Sequence, residues 1–394
     1  MTRIRTLALV LAGGKGSRLE TLTTRRAKPA VPYGGHHRLV DVSLSNCMHS
    51  GIADVWVSVQ YNPVSLGEHL ATGRPWDLDR NRGGLLVLHP RQGEGRAGFA
   101  TGTADGLWRN AELIRRHEAE ALVVVSADAV YRLDYDRVVD DHVASGAAVT
   151  MVTTRVPQED ASRYGVVQVD GGRVTDYALK PDEPKGDLVC NEVFVFDPVR
   201  ALDVLDELAA DAGEDGLQDL GHGLLPALVA AGDAREHRFE GYWRDVGTIE
   251  AYHSSHMDLL GDDPAFVLDD PSWPLTTRGG RRGPARLGPG AQLTDVLLSP
   301  STHISGTVER SVLSPGVVVE AGAVVRDSIL LHDVVVRAGA TVERTVLDAT
   351  AEVTADAVVG GDSDGDLVLV GYGERVSGRL APGARQPRPE GERT

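Results

Sequence analysis

Short apolar runs alternate with stretches of helical spacing from the start of the chain to about residue 255. The runs are rich in β-branched residues and are as short as buried strands, whereas residues 39–50 and 106–117 carry apolar side chains at helical intervals. Strands that alternate with helices form βαβ crossovers around a largely parallel sheet. We therefore predict an α/β fold with strands at residues 6–11, 55–59, 85–88, 121–126 and 149–153.

A second periodicity occupies the C-terminal third of the chain. Apolar residues recur at intervals of six, with turn formers such as Gly316, Gly322 and Gly339 between them. This period fits neither a helix nor a hairpin, but it is typical of a β-helix, whose short strands stack into a continuous apolar core. An irregular β-sandwich with fortuitously spaced valines is the alternative. The repeat positions are Val312, Val318, Val324, Leu330, Val336 and Val342.

The length of the chain indicates more than one domain. It has 394 residues, whereas one hydrophobic core usually organises roughly 250. Turn formers crowd residues 261–285, which marks a boundary. We predict an α/β domain at residues 1–258, a linker at 259–285, a β-helix at 286–378 and a polar, disordered tail at 379–394.

Composition narrows the classes of partner. The formal net charge of −17 argues against nucleic-acid binding, because phosphate backbones are held by basic surfaces. No segment approaches the roughly 20 apolar residues of a membrane span, so we expect no membrane partner. Cys47 and Cys190 are too few for a disulfide framework and favour a reducing compartment, the cytoplasm.

A glycine-rich loop follows the first predicted strand. Its glycines, at positions 13, 14 and 16, allow backbone N–H groups to approach phosphate oxygens, and Lys15 or Arg18 can neutralise their charge. The loop is not a Walker A motif, and Leu19 stands where a dinucleotide-binding fingerprint has its third glycine. The sequence therefore predicts a phosphate-binding loop of another kind.

Two aspartates are candidate metal ligands. Asp128 ends an apolar strand, at the edge of a parallel sheet where such folds bind ligands, and Asp245 lies in a turn-rich segment. Mg²⁺ takes one or two protein carboxylates together with phosphate oxygens. We predict that both aspartates bind Mg²⁺. The alternatives are a helix cap for Asp128 and a turn aspartate for Asp245.

The glycine loop is followed, nine residues after Leu19, by Lys28-Pro29. This combination resembles the opening signature of sugar nucleotidyltransferases, and residues 38–52 resemble the ADP-glucose pyrophosphorylase family in particular. The resemblance extends to about residue 375, and it implies a Rossmann-like nucleotidyltransferase sheet followed by a left-handed parallel β-helix. Further matching segments are Gln60-Tyr61, Gly102-Thr103-Ala104-Asp105, Tyr164-Gly165-Val166, Lys180-Pro181 and residues 242–248.

The resemblance implies an enzyme that makes ADP-glucose and pyrophosphate from ATP and glucose 1-phosphate for glycogen-type glucan synthesis. A sugar phosphate oxygen attacks the α-phosphorus of the triphosphate, so catalysis needs alignment and charge stabilisation. The segment 102–105 is equally interpreted as a helix cap. The candidate residues are Arg18, Lys28 and Asp128 for catalysis; Leu11, Gly13, Gly14, Gly16, Gln60, Gly102 and Thr103 for the nucleotide; Gly165 and Lys180 for the sugar phosphate; and Asp128 and Asp245 for the metal.

The same resemblance implies assembly and regulation. Members of this family are homotetramers under the control of anionic metabolites that act between the two domains. Arg25 and Arg26 lie where basic residues of the family contact such effectors. We therefore expect a homo-oligomer with an anionic effector.

The chain departs from the family pattern around the expected sugar pocket. Leu179 replaces a glutamate and Cys190 replaces a serine, each of which would contact the sugar; Ala100 and Gly223 replace a tyrosine and an aspartate. Glu192 substitutes for the lost carboxylate if its side chain turns inward, although strand alternation equally sends it to solvent. We add it to the candidate sugar-phosphate-binding residues. A different sugar or base, or a catalytically weak regulatory subunit, remains an alternative.

Overall fold

The computed structural model describes residues 4–14, 16–90, 99–213, 216–361 and 365–387. Lys15 of the glycine loop lies outside the described residues, as do residues 388–394 of the predicted tail.

The N-terminal domain contains thirteen strands and eight helices within the described residues. The strands are β1 (Thr6–Ala12), β2 (Pro32–Tyr33), β3 (His37–Arg38), β4 (Asp54–Val59), β5 (Gly84–Leu88), β6 (Ala121–Ser126), β7 (Ala129–Tyr131), β8 (Val149–Arg155), β9 (Gly165–Asp170), β10 (Arg173–Leu179), β11 (Leu188–Phe196), β12 (Ala234–Arg238) and β13 (Trp243–Asp245). The helices are α1 (Leu39–His49), α2 (Pro63–Leu70), α3 (Thr103–Arg109), α4 (Ala111–His117), α5 (Tyr135–Ser145), α6 (Pro198–Asp211), α7 (Leu224–Ala230) and α8 (Ile249–Met257). Short 3-10 segments span Ser17–Thr23, Lys28–Ala30, Arg74–Trp76 and Gln158–Arg163.

A nine-stranded sheet in the order β5-β4-β1-β6-β11-β8-β12-β10-β9 forms the centre of this domain. Strands β5, β4, β1 and β6 are parallel, and β11 runs antiparallel to both β6 and β8. The predicted α/β architecture with a parallel sheet is confirmed, and antiparallel pairs extend it on one side. All five predicted strands are present, with their ends within two residues.

Alternating side chains of the central strand enter two different cores. Leu7 and Leu9 pack on one face of the sheet, and Ala8 and Val10 pack on the other, all without solvent exposure. A strand buried on both faces needs a nearly continuous apolar run, which is the pattern that β1 and β6 show.

One predicted helix is divided in two. The sequence indicates a single helix over residues 106–117, but α3 ends and α4 begins on either side of Asn110, whose φ and ψ are −103° and 6°. The Asn110 side chain donates a hydrogen bond of 2.8 Å to the Gly106 carbonyl oxygen. Asparagine side chains that bond nearby carbonyls compete with the helical ladder, which accounts for the break.

The C-terminal domain is a β-helix of short parallel strands. These are β14 (Arg286–Leu287), β15 (Gln292–Leu298), β16 (His303–Ile304), β17 (Thr307–Leu313), β18 (Val318–Val319), β19 (Val324–Arg326), β20 (Ile329–Leu330), β21 (Val335–Val336), β22 (Thr341–Glu343), β23 (Thr345–Leu347), β24 (Glu352–Val353), β25 (Val358–Val359), β26 (Val368–Val370), β27 (Arg375–Val376), β28 (Arg379–Leu380) and β29 (Arg385–Gln386). The predicted β-helix is confirmed.

The repeat of this β-helix is slightly shorter than the sequence pattern predicts. Val308 pairs with Val325, 17 residues on, and Val325 pairs with Val342 at the same interval. Successive core residues are therefore five, six and six positions apart, as in Val308, Leu313, Val319 and Val325. The constant interval of six places Val318 and Val324 in the core, which is wrong: both are only partly buried, and the following valine is the core residue.

The final coil extends beyond the predicted end of the domain. Strand β28 pairs with β25, and Arg385 of β29 lies opposite Leu369 of β26. The prediction of disorder from residue 379 is therefore wrong for residues 379–386. Their side chains are mostly polar, but their backbone groups complete the hydrogen-bond ladders of the preceding coil.

Residues 259–285 contain no helix or strand, and they pack against α1. The Trp273 indole N–H donates to the Asn46 side-chain oxygen at 3.0 Å, and the Thr276 amide donates to the Ser45 hydroxyl at 3.0 Å. This segment is therefore fixed on the N-terminal domain by side chains of α1.

Among the helices of the described residues, none combines the length and the apolar character that crossing a membrane requires.

A buried ion pair joins the two domains. Arg26 Nη1 lies 2.8 Å from Asp348 Oδ1, and the side chains are 11% and 1% exposed. Burial raises the pKa of Asp348 even though Arg26 opposes this effect. Beside this pair, the Arg25 guanidinium lies over the Tyr372 ring, 4.6 Å from its centroid.

Replacing Arg26 with alanine will destabilise the protein by about 3–5 kcal/mol, because the Asp348 carboxylate then stays buried without its cation. Equilibrium urea unfolding measures the loss. The matched control is Arg25→Ala, which removes an exposed cation and costs about 0.5–1 kcal/mol. Adding Asp348→Asn to Arg26→Ala will recover part of the loss. Equal stability of the two single variants would contradict the role of the pair.

Candidate active site

The candidate site lies where β1 and β6 end. Leu11 is in register with Ser126, and the Ala127 amide donates to the Leu11 carbonyl oxygen at 3.2 Å. The glycine loop and Asp128 therefore leave the sheet side by side, at the carboxyl edge where open α/β sheets bind ligands.

Gly16 joins the glycine loop to Lys28. Its φ is 67°, and a Cβ atom there would lie 2.9 Å from Lys28 Cβ and 3.0 Å from Thr23 Cγ2. The Thr23 hydroxyl donates to the Gly16 carbonyl oxygen at 2.9 Å. A left-handed backbone and this lack of space both require glycine. The loop consequently rests directly on the stem of Lys28.

The other predicted nucleotide residues divide into two groups. Gln60 lies against Gly13, because a Cβ on Gly13 would be 3.4 Å from Gln60 Cβ, and the Gln60 amide donates to the Ala100 carbonyl oxygen at 2.9 Å. Gly14 borders open space. The structure thus brings Leu11, Gly13, Gly14, Gly16 and Gln60 to one edge.

Gly102 and Thr103 instead anchor α3 to residues 218–220. A Cβ on Gly102 would overlap the Gln218 carbonyl group, and the Thr103 amide donates to Asp219 Oδ1 at 3.0 Å. The Thr103 hydroxyl accepts a hydrogen bond of 3.0 Å from the Leu220 amide. Asp219 has no sequence signal of its own. No N-cap side-chain hydrogen bond is present at the start of α3, and the Thr103 contacts connect this helix to residues 218–220. The role of this segment in nucleotide binding stays a prediction.

Lys28 lies between the two predicted metal ligands. Its Nζ is 2.7 Å from Asp128 Oδ2 and 3.9 Å from Asp245 Oδ1, and its side chain is 8% exposed. The two aspartates meet because β13 pairs with β7, with Asp245 opposite Ala129, and the Val246 amide donates to the Asp128 carbonyl oxygen at 3.1 Å. The pairing of these two short strands thus brings together two aspartates that are more than a hundred residues apart in the sequence.

The pKa values of this trio follow from burial and mutual charge. Burial by itself lowers the pKa of Lys28, but the Asp128 and Asp245 carboxylates outweigh it and raise the pKa above its ordinary value. Burial also opposes ionisation of Asp128, yet Lys28 lowers its pKa. Burial and then Asp128 raise the pKa of Asp245. One cation is therefore shared by two carboxylates, and a second cation is electrostatically favoured.

Arg18 faces this trio from the solvent side. A Cβ on Gly247 would lie 2.8 Å from Asp245 Oδ2 and 3.4 Å from Arg18 Nη2, so glycine permits their close approach. The charge of Arg18 favours the ionised forms of both aspartates, but for Asp245 it only partly offsets the rise in pKa caused by burial and Asp128. Since the Arg18 side chain is exposed, its guanidinium is accessible to an incoming phosphate.

Glu192 occupies an irregularity of β11. The register of β11 against β8 shifts between Cys190 and Phe194, and Glu192 has a φ of 60°, a left-handed conformation that favours glycine. The surrounding protein and then the Asp128 and Asp245 carboxylates raise the pKa of Glu192 to about 7. The residue is nevertheless exposed, so it lies within reach of both the aspartates and solvent.

Ser126, which sequence reasoning missed, supports this group of carboxylates. Its hydroxyl donates to Asp128 Oδ1, and its proximity to Glu192 partly offsets the rise in the pKa of that carboxyl. Its position at the last residue of the apolar β6 strand is the signal that could have identified it.

The predicted sugar-phosphate residues lie at the ends of β9 and β10. Gly165 pairs with Leu179, and the Lys180 amide donates to the Tyr164 carbonyl oxygen at 2.8 Å. Lys180 is exposed, and it forms no ion pair with any residue that the structure describes. Because β9 also pairs with β11 through Val166 and Val189, this edge adjoins the segment that carries Glu192.

Tyr177 fills the space between two glycines, and the sequence analysis did not identify it. A Cβ on Gly165 would lie 2.6 Å from the Tyr177 hydroxyl oxygen, and one on Gly221 would lie 2.5 Å from it. Burial, followed by the charges of Cys190 and Glu192, raises the pKa of Tyr177 above its ordinary value. The Tyr177 hydroxyl therefore lies beside Gly165, one of the predicted sugar-phosphate residues.

The carboxylates fit a magnesium ion that is completed by substrate. No group of three or more His, Cys, Asp or Glu side chains within the described residues is arranged to hold a metal ion unaided. Mg²⁺ commonly takes one or two carboxylates and obtains its other ligands from phosphates and water. Asp128 and Asp245 both point toward the ammonium group of Lys28, so their carboxylates are close enough to share one cation.

The fold and the site define a nucleotidyl transferase. Residues 7–261 match the family model described as "Nucleotidyl transferase", and residues 285–371 match that described as "GlmU-like, C-terminal hexapeptide". The chain belongs to the nucleotidyl transferase family.

Its similar curated relatives carry a more specific name, glucose-1-phosphate adenylyltransferase. The relative from Thermotoga neapolitana is 39% identical over 81% of this chain and 76% of its own length. The relative from Acetivibrio thermocellus is 38% identical over 82% and 75%, and that from Thermomicrobium roseum is 42% identical over 79% and 69%. The resemblance to this family is confirmed.

Proposed function

We propose that the chain transfers the adenylyl group of ATP to glucose 1-phosphate, giving ADP-glucose and pyrophosphate for glycogen-type glucan synthesis. The observation that carries this proposal is Lys28, which lies beside a glycine loop and between two converging aspartates at the carboxyl edge of the sheet. The names of the curated relatives support the choice of ATP and glucose 1-phosphate.

The reaction requires alignment more than covalent chemistry. A phosphate oxygen of the sugar attacks the α-phosphorus in line with the leaving pyrophosphate. Arg18 and the backbone of Gly13, Gly14 and Gly16 bind the triphosphate, with Gln60 and the start of α3 on the nucleotide side. Lys28 stabilises the negative charge that develops around the α-phosphorus.

Lys180 and Gly165 hold the sugar phosphate on the opposite side of the site. The exposed ammonium of Lys180 is available to a phosphate, and the ends of β9 and β10 adjoin β11. Two substrates bound from opposite sides would therefore meet above Asp128. Holding them in this arrangement lowers the entropic cost of their encounter.

Asp128 and Asp245 are the proposed ligands of Mg²⁺. When bound, this ion neutralises phosphate charge and orients the oxygens of the triphosphate. Ser126 keeps Asp128 in place by its hydrogen bond, and Gly247 permits Asp245 and Arg18 to lie together. The protein thus supplies only part of the coordination, and the nucleotide completes it.

Pyrophosphate release measured with four nucleotides (ATP, UTP, GTP and dTTP) and four sugar 1-phosphates (glucose, glucosamine, mannose and galactose) will show selective turnover of ATP with glucose 1-phosphate. Asp128→Asn will lower kcat at least about a hundredfold, because it removes a carboxylate charge proposed to hold Mg²⁺ beside the reacting phosphates. The control is Asp140→Asn on the exposed side of α5. Turnover with another substrate pair would assign a different member of the class, and inactivity with all sixteen would favour a regulatory subunit.

A second candidate is the same chemistry with a different sugar 1-phosphate. Leu179 cannot supply the carboxylate that the family uses at this position, whereas Glu192 presents one toward the site from a conformation that favours glycine. A carboxylate that is removed from solvent when the sugar binds discriminates strongly among hydroxyl and amino groups of a substrate. The sugar pocket is therefore proposed to be retuned around Glu192.

Replacing Glu192 with glycine tests this retuning. If the carboxylate contacts the sugar, Glu192→Gly will raise the KM for the sugar 1-phosphate about tenfold or change the preferred sugar, while the KM for ATP stays within about twofold. Glycine accepts the observed φ, so the fold is kept. The control is Glu183→Gly, an exposed position outside the strands. An unchanged sugar preference with an unchanged KM would remove Glu192 from the sugar site.

We further propose that the protein is a homotetramer in the cytoplasm. The family resemblance supports a homotetramer, and the free, buried Cys47 and Cys190 are compatible with the cytoplasm. The reading as a regulatory subunit is weaker, because such a subunit would be expected to lose the loop, the lysine or the aspartates of the site.

An anionic effector is proposed to bind near Arg25. The charge of Arg26 is already neutralised by Asp348. Arg25 is exposed, and its guanidinium lies over the Tyr372 ring without forming an ion pair to any described residue. Both arginines lie where the N-terminal domain meets the β-helix. An anion at this point would contact both domains at once.

Arg25→Ala will weaken the response to a sugar bisphosphate or to inorganic phosphate at least about fivefold, without changing the activity measured in their absence. Activation and inhibition curves for each ion provide the measurement. Arg116→Ala, which removes an exposed cation from α4, is the matched control. Unchanged curves for Arg25→Ala and for the Arg25→Ala/Arg26→Ala variant would dismiss the effector site.

A further inference from the structure

The 3-10 segment after the glycine loop contains a strained residue. Within Ser17–Thr23, Glu20 has a φ of 49° and a ψ of −124°, outside the conformations that side-chain-bearing residues ordinarily adopt. Backbone strain of this kind persists only where the surrounding structure holds it, and it is concentrated at functional sites. Glu20 stands two residues after Arg18.

The last described coil of the β-helix holds this strained residue. Arg385 Nε donates to Glu20 Oε2 at 2.8 Å, and the side chains are 20% and 34% exposed. Arg385 Nη1 is itself fixed, because it donates to the Leu367 carbonyl oxygen at 2.6 Å and to that of Gly383 at 3.2 Å. The guanidinium therefore connects the coil rigidly to Glu20.

Further contacts place the last two coils against this segment. Gly371 follows β26 in the preceding coil, and a Cβ on it would lie 3.3 Å from Thr21 Cβ, so that coil touches the residue next to Glu20. Arg385 Nη2 also lies 3.8 Å from Glu250 Oε1 at the start of α8. Arg385 thus joins three elements that are far apart in sequence.

The strained residue is connected to the reacting groups through short contacts. The Thr23 hydroxyl donates to the Glu20 carbonyl oxygen at 3.2 Å and to that of Gly16 at 2.9 Å. Gly16 rests on Lys28, and Arg18 approaches Asp245 beside Gly247. Relaxation of Glu20 to an ordinary conformation would turn the chain at Arg18 and shift the Gly16 carbonyl group.

We propose that Arg385 is a positioning residue for the triphosphate: its ion pair with Glu20 holds the backbone kink that sets Arg18 and the glycine loop in their binding arrangement. This inference rests on the proposed function for the identity of the ligand. It assigns a role to the last described coil of the β-helix, which reaches the residues after the glycine loop through the ion pair of Arg385 with Glu20.

Arg385→Gln will raise the KM for ATP and the Kd of ATP with Mg²⁺ about tenfold, while the KM for the sugar 1-phosphate stays within about twofold. Steady-state kinetics and titration calorimetry without the sugar supply these values. Arg379→Gln, which removes another arginine from the same coil, is the control and will behave like the wild type. An unchanged Kd for ATP, or equal losses for both substrates, overturns the proposal.

A second pair of variants separates strain from simple loss of structure. Glu20→Gly in the Arg385→Gln protein will restore part of the affinity for ATP, because glycine adopts the kink without help. A double variant as weak as Arg385→Gln overturns the proposal. If Arg385→Gln does not fold, Glu20→Gln removes the same ion pair while the bonds of Arg385 to Leu367 and Gly383 remain, and it must then show the same selective rise in Kd.

The calorimetric measurement also separates this inference from the proposed function. If the wild-type protein turns over a different nucleotide, the same comparison is made with that nucleotide, and the ion pair is still tested. If the wild type is active with ATP and glucose 1-phosphate but Arg385→Gln binds ATP normally, only the positioning role fails.

Discussion

The ammonium group of Lys28, held between Asp128 and Asp245, is the interaction on which the site depends. The two carboxylates lie on different segments and would repel one another without a cation between them. Burial of Lys28 strengthens this attraction by excluding water. The pairing of β13 with β7 and the packing of Gly16 on Lys28 both serve to bring these charges together.

The β-helix supports the same site through its contacts with the N-terminal domain. It contacts the N-terminal domain through buried apolar side chains such as Ile329, Val346 and Leu369 and through charges. The shortest ion pairs that join the two domains in the described chain are Arg26–Asp348 and Arg385–Glu20. Charged pairs have directional geometry, so they fix the relative position of the domains more sharply than apolar contacts do. The residues after Gly16 are consequently held both by their own domain and by the last coil.

Much of the fold was predictable because its signals are local. The five apolar runs became strands, and the valine repeat became a β-helix, since each pattern reports which face of a short segment is buried. The predictions were wrong where contacts with other residues determine the backbone conformation. Asn110 divides a predicted helix by one side-chain hydrogen bond. Residues 379–386 are ordered by backbone pairing with the preceding coil rather than by apolar side chains. The site residues of the glycine loop, Lys28 and the two aspartates lie together as the motifs suggest, but Thr103 bonds within the protein.

The sequence by itself determined the class of fold, the order of the two domains and the residue types that can bind phosphates and a metal ion, because periodicity and glycine spacing are properties of short segments. Only the tertiary structure decided how the two aspartates share the charge of Lys28 and which charges join the two domains. The distance between Asp128 and Asp245 along the chain carries no information about their pairing, and the positive φ of Glu192 and Glu20 depends on a strand irregularity and on Arg385. Such contacts depend on the packing of distant segments, which no local pattern encodes.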